Sequence, residues 1–380
     1  MVRIFIINSF LLRQGWNSWN KFACEITEEL IKDTADALVS TGLAELGYKY
    51  VNLDDCWQAA ERDASGMIQA DPTRFPSGMT ALGEYIHSKG LKFGIYSSAG
   101  FKTCQGFPAS LGLEETDARA YAAWGVDYLK YDNCYEDHGL PKTRYGEMKK
   151  ALESSGREIF YSLCEWGREN PAVWAPGIGA NSWRISSDIR DEWSSIISRV
   201  EIDGSLWRYS GEGLGWNDPD MLEVGNGGCS QAEYRAHFSL WAMLKAPMII
   251  GNDVRTLSTK VMEILGNKEV LAVSQDALGH QARRVWSDTT QHLAKSTHFG
   301  DKEVWMTPMS GGSVAVLLLN KSPVERLMTL DGSVVGLSGG KYAMRDLWRG
   351  EDLIRSMSAD QSEQFLVKSH DAVMLKLTPA

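Results

Sequence analysis

The sequence predicts an α/β protein, a (β/α)8 TIM barrel followed by a C-terminal antiparallel β-sandwich. Three observations carry this. Gly42, Gly90, Gly125 and Gly156 each close a helix-like segment that is followed within a few residues by an apolar, strand-like run. No G-x-G-x-x-G phosphate turn follows the first strand, which argues against a doubly wound open sheet. After about Gly279 the helical period gives way to short apolar runs between glycine, serine and asparagine turns.

The clearest repeat is "TEELIKDTADALVSTG". Thr27 suits the N-cap, Glu28 and Glu29 the first turn, Ile31, Ala35 and Leu38 one buried face, and Gly42 the stop. "YKYVNLDD" then reads as a strand. The rhythm recurs as "MTALGEYIHSKG" before "LKFGIYSS", "ETDARAYAAWG" before "VDYLKYDN", and "TRYGEMKKALESSG" before "REIFYSLCEW". Helix alternating with buried strand implies a parallel sheet, because parallel strands need crossover connections and are covered on both faces. "NSWRISSD", the region entering "GWNDPDML", and "APMIIGND" after the helical "QAEYRAHFSLWAMLK" continue the count. A strand near the N-terminus makes eight, and eight units in about 280 residues is TIM-barrel size. "VWMTPM", "SVAVLLLN" and "QFLVKSHDAVMLKL" supply the β module. The expected domains are 1–282 and 283–380. The opening "MVRIFIINSFLL" reads as the first strand or an altered N-terminus; it has a signal-like apolar stretch without an A-x-A cleavage pattern.

Composition narrows the function. The 380 residues are 43% hydrophobic with a formal net charge of −10 and no long basic run, which removes the footprint of a nucleic-acid binder. No apolar run reaches the roughly 18 residues of a membrane span. Fourteen tryptophans and thirteen tyrosines serve core packing first, although sugar-binding clefts also set flat rings against pyranose faces.

In a TIM barrel the polar residues at the C-terminal strand ends line the active site. "YLKYDNC" ends in that way, with Lys130 and Asp132. The other ends carry Trp16, Asp54 and Asp55, Tyr96, Glu165, Arg184 and Asp188, and Asp220. Histidine is absent from all of them, which disfavours a Ser-His-Asp hydrolase and a zinc site. Several carboxylates without histidine suit glycoside hydrolysis, where one attacks the anomeric carbon or activates water and another protonates the leaving oxygen. Oxygen-ligated Mg²⁺ or Ca²⁺ at Asp54 and Asp55 is the competing reading, and strand-end ion pairing the plain structural one.

"GWNSWNKFAC", "LDDCW", "DPTRFPSGM", "HSKGLKFGIYSSAG", "DYLKYDNC", "CEW", "GWNDPDML" and "SQDALG", in consistent order over about residues 15–285, resemble the retaining α-galactosidase and α-N-acetylgalactosaminidase family, glycoside hydrolase family 27. The resemblance implies that Asp132 is the nucleophile and Asp188 the acid/base, at neighbouring strand ends, with Lys130 favouring the charged Asp132 and an apolar wall keeping Asp188 protonated. It further implies that Asp54 and Asp55 accept bonds from hydroxyls at the far edge of the sugar, Lys130 and Arg184 donate, Asp220 fixes the hydroxyl beside the reacting carbon, Trp16 stacks on the ring, Tyr96 lies near the nucleophile, and Trp166 joins the contacts. Cys24 pairs with Cys56, and Cys104 with Cys134, the latter pair also touching substrate; Cys164 and Cys229 are left over. Glu165 in "CEWGREN" implies a bond to the 2-hydroxyl and no room for an acetamide, hence terminal α-galactose on an oligosaccharide as substrate. The alternatives are α-N-acetylgalactosaminidase activity and a non-catalytic carbohydrate-binding protein. No metal or cofactor is expected. Two disulfides imply secretion or a lysosomal or vacuolar location; a homo-oligomer is compatible. Asn320 opens the single N-x-S/T match, weakened by the following Pro323. "FLLRQGWNSW" departs from the proline-containing entry usual in the family.

Overall fold

The computed structural model describes residues 14–288 and 300–380; the opening apolar stretch and its two readings lie outside them. Eight parallel strands form one sheet: β1 Gln14–Asn17, β2 Tyr50–Asn52, β3 Lys92–Ser98, β4 Tyr128–Asp132, β5 Phe160–Cys164, β6 Ser182–Arg184, β7 Trp216–Asp218 and β8 Met248–Ile250. Their order is β7-β6-β5-β4-β3-β2-β1-β8, each paired with its neighbour in sequence except where β1 also pairs β8. Beyond β7, Leu222 forms a parallel bridge to Ile250, its N–H donating to Ile249 O at 2.8 Å while Gly251 N–H donates to Leu222 O at 3.0 Å.

The repeats read from the sequence fold for the reasons expected. The helix Glu28–Ser40 starts where the Thr27 hydroxyl accepts the Leu30 N–H at 3.2 Å and buries Ile31, Ala35 and Leu38. Gly42, Gly90, Gly125 and Gly156 all stand at φ between 71° and 80°, a left-handed conformation in which a side chain would be strained, so each turns the chain out of its helix and toward the next strand. The helix Gln231–Leu244 opens on a reciprocal cap between Ser230 and Glu233.

The chain divides into two compact units. The first gathers the chain up to Asp188 with Leu214–Asn226 and Pro247–Leu257, and so holds all eight parallel strands. The second comprises Ile189–Gly213, Gly227–Ala246 and Ser258–Ala380. Among the described residues it contains eight antiparallel strands: β9 Arg283–Ser287, β10 Lys302–Pro308, β11 Val314–Asn320, β12 Arg326–Asp331, β13 Tyr342–Asp346, β14 Glu351–Met357, β15 Ser362–Val367 and β16 Asp371–Pro379. Six form a sheet in the order β14-β13-β16-β11-β10-β9, and β12 and β15 pair separately. Val316, Leu318, Leu375 and Leu377 of the first sheet share one apolar core with Met328, Leu330 and Val367 of the second. Asn320 is fully buried there and its amide donates to Val324 O, Val367 O and Lys368 O at 2.8, 3.0 and 2.9 Å.

Candidate active site

Strand alternation sorts β4 into two faces: Leu129 and Tyr131 point one way, Lys130 and Asp132 the other. In register, Tyr96 pairs with Lys130 and Ser98 with Asp132, and Lys130 in turn with Ser162. Asp132 is 5% exposed. The Tyr96 hydroxyl donates to its Oδ2 at 2.9 Å and the Asn133 N–H to its Oδ1 at 2.9 Å. The same hydroxyl lies 3.2 Å from Cys104 Sγ, and the Cys104–Cys134 disulfide, Cα atoms 5.0 Å apart, ties the loops after β3 and β4 together. Burial pushes the Asp132 carboxyl up to about 6, against the opposing pull of Lys130 and of these two hydrogen bonds.

Lys130 does not pair with Asp132. Its Nζ bonds Asp54 Oδ2 at 2.7 Å, an oxygen that also accepts the Asn17 amide at 2.8 Å. Burial opposes the ammonium charge, but Asp54 beside it holds Lys130 well above the ordinary lysine range. The expected help to Asp132 is therefore a through-space effect, and burial outweighs it. Asp55 spans two loops: Oδ1 accepts Cys56 N–H at 2.7 Å, Oδ2 accepts Gln105 N–H at 2.9 Å, and burial pushes the carboxyl to about 6. The Cys24–Cys56 disulfide holds the first of these loops, its Cα atoms 5.2 Å apart.

On the other side of β5 the Arg184 guanidinium organises the site. Its Nη2 meets Asp188 Oδ1 at 2.9 Å, Asp220 Oδ2 at 2.8 Å and Ser186 O at 3.2 Å, and its Nη1 lies 3.5 Å from Cys164 Sγ. Asp188 has a side chain 62% exposed. The apolar wall expected around it is replaced by Arg184, because the carboxylate lies on a loop beyond the end of β6. Asp188 and Asp132 are also not at adjacent strands: β5 separates β4 from β6. Two strand spacings are about 10 Å, so a carboxyl pair at about 5–5.5 Å needs both side chains to lean over β5.

Glu165, the residue after β5, occupies that intervening position. It is wholly buried, its Oε2 accepts Glu169 N–H at 2.8 Å and its Oε1 has no hydrogen-bond partner among the described residues. Burial pushes it up to about 7. Trp166 beside it takes a left-handed φ of 60°. Asp220 is buried at φ 89°, with Oδ1 accepting Met221 N–H at 2.8 Å. Trp16 is wholly buried, and its indole N–H donates to Asn252 O at 2.7 Å.

Two residues escaped the sequence reading. Asp218, in register with Arg184, accepts Asp220 N–H at 2.8 Å, and burial pushes its carboxyl to about 6. Asn17 also lines the strand ends and donates to Asp54, while the left-over Cys164 is a buried free thiol beside Arg184. With Lys130, Arg184 and Asp220, Asn17 and Asp218 enclose a small cavity at the strand ends. Asp218 stands two residues before Asp220 in "GWNDPDML", and that strand-like spacing was the available signal. Cys104, Cys134 and Asp132 cluster closely enough to suggest metal ligands, but both sulfurs are spent in a disulfide and offer no thiolate.

Comparison with known proteins accords with this arrangement. The pattern described as alpha galactosidase A matches residues 12–276, and that of the alpha galactosidase C-terminal beta sandwich domain matches 299–377. An alpha-galactosidase of Oryza sativa is 49% identical over 97% of this chain and 84% of its own length; one of Coffea arabica is 51% identical over 96% and 93%. The crystal structure of alpha-galactosidase I from Mortierella vinacea superposes with a TM-score of 0.92 at 38% identity, covering 99% of both chains. The chain belongs to the α-galactosidase family, glycoside hydrolase family 27.

Proposed function

We propose that the chain is a retaining exo-α-galactosidase that releases terminal α-galactose from oligosaccharides. The observation that carries this is the buried Asp132 carboxylate, aimed by Tyr96 and Asn133, with Asp188 two strands away on Arg184. In the first step an Asp132 oxygen bonds to the anomeric carbon as the glycosidic C–O bond breaks, and Asp188 gives its proton to the leaving oxygen. In the second, Asp188 takes a proton from water, the water oxygen bonds to the anomeric carbon, and the ester to Asp132 opens. The two hydrogen bonds to Asp132 hold its oxygens in line, and Lys130 with Arg184 offsets the negative charge gathered at the strand ends.

Glu165 supports galactose over the acetamido sugar. A carboxylate placed with a free acceptor oxygen suits the 2-hydroxyl and fills the space an N-acetyl group needs. Asp54 and Asp55 take the far-edge hydroxyls, Lys130, Arg184 and Asp220 the others, and Trp16, Tyr96, Trp166 and the Cys104–Cys134 pair form the walls. The Leu222–Ile250 bridge supports closure of the eight strands into a barrel, spanning with its helices residues 1–282, and the common core of the two antiparallel sheets supports a β-sandwich over 283–380. Two disulfides at the strand ends support secretion or a lysosomal or vacuolar location.

Initial rates on aryl α-galactoside and aryl α-N-acetylgalactosaminide, with EDTA present, test the reading in the wild type and Asp132→Asn. Cleavage of the galactoside alone, lost in the variant, is expected. Cleavage of the acetamido sugar instead would overturn the role of Glu165, and sensitivity to EDTA would revive metal chemistry.

A further inference from the structure

The loop that follows Glu165 lies directly against the segment that carries Asp188. Gly167 has φ 73°, and a Cβ there would meet Ile185 O at 2.0 Å and Ile185 C at 2.5 Å, so backbone rests on backbone between β6 and Asp188. Trp166, one residue earlier, holds a left-handed φ of 60°, which a bulky aromatic keeps only when its surroundings impose it. Over the Trp166 ring sits the Arg168 guanidinium, 4.5 Å from the ring centre. Arg168 is exposed and makes no ion pair among the described residues. Arg168 is thus an exposed cation one residue past the point where this loop touches the Ile185 backbone, three residues before Asp188.

We propose that Arg168, held over the Trp166 ring, binds the sugar on the leaving side of the scissile bond by donating hydrogen bonds to its hydroxyls. This deepens the α-galactosidase reading and rests on it. A stacked guanidinium presents its donors as a fixed fork with little further loss of freedom on binding. Asp188 and Glu169 are both exposed acids within three residues of the Gly167–Ile185 backbone contact; they disfavour an acidic leaving group by like-charge repulsion, so the ligand class is a neutral sugar ring.

The test compares kcat/KM on melibiose, whose leaving group is a glucose unit, with kcat/KM on α-galactosyl fluoride, whose leaving group is a single atom. Arg168→Ala is expected to lower the melibiose value about 10- to 100-fold, the range for one hydrogen bond from a charged donor, and to leave the fluoride value within about twofold. Arg168→Lys keeps the positive charge near Glu165 but loses the flat fork, and is expected to remain impaired on melibiose. The proposal falls if both substrates lose equally in Arg168→Ala, if melibiose is unaffected, or if Arg168→Lys restores it fully. A wild type inactive on the fluoride would instead refute the underlying α-galactosidase reading.

Discussion

Changing Tyr96 to phenylalanine removes one oxygen, and with it the one side-chain donor that reaches the Asp132 carboxylate among the described residues. The hydroxyl has a single proton, given to Asp132 Oδ2 at 2.9 Å, while its contact with Cys104 Sγ is weaker. Phenylalanine fills the same buried space, so packing is nearly preserved. A hydrogen bond to a charged acceptor contributes about 1.5–3 kcal/mol, and each 1.36 kcal/mol moves a pKa by one. The Asp132 carboxyl stands at about 6, lowered by this bond from where burial alone would leave it. The acid limb of kcat/KM, which reports the free enzyme, should therefore move from near 6 to roughly 7–8 in Tyr96→Phe. At pH 5 the variant loses about 10- to 100-fold against wild type beyond whatever it loses at its optimum. The assay is kcat/KM on aryl α-galactoside from pH 4 to 9, with melting temperatures to establish that both proteins are folded. An acid limb that stays in place in a folded variant refutes the claim that Tyr96 sets the ionisation of Asp132.

Other changes have equally definite outcomes. Glu165→Ser should lower kcat/KM on aryl α-galactoside about 10- to 100-fold, as the acceptor for the 2-hydroxyl is lost, while raising it on the N-acetylgalactosaminide; parallel losses on both would count against the assignment. Asp218→Asn should be stabilising only at neutral pH. Burial raises Asp218 to about 6 from about 3.9 unfolded, so its favourable contribution is complete below pH 4 and is lost as pH rises through 6. The amide mimics the protonated form, and the gain in unfolding free energy from urea denaturation should grow from near zero at pH 4 to at most about 3 kcal/mol at pH 7; a pH-independent difference would sink the argument. Replacing both Cys104 and Cys134 by serine opens a loop of 30 residues, with an expected loss of about 3–4 kcal/mol in unfolding free energy, together with reduced activity because the disulfide supports Tyr96. Full activity in the double variant would separate the disulfide from the site.

What the sequence determined by itself was local and periodic. The helix of Ile31, Ala35 and Leu38, its Thr27 cap and the Gly42 stop depend on residues within a few positions of one another. Strand-end residues were legible for the same reason: an apolar run ending in Lys130 and Asp132 declares where the strand stops. The resemblance then named Asp132, Asp188 and both disulfides. Only the tertiary structure decided which charge faces which. Lys130 is two residues from Asp132 yet bonds Asp54, 76 positions away, because parallel register, not sequence distance, sets side chains beside one another. Arg184 is shared between Asp188 and Asp220, and Glu165 falls between the Asp132 and Asp188 carboxylates because β5 lies between β4 and β6. Burial, and so the raised Asp132, Asp55 and Asp218 carboxyls, is likewise a property of the packed chain, since desolvation exists only once distant segments have closed around a group.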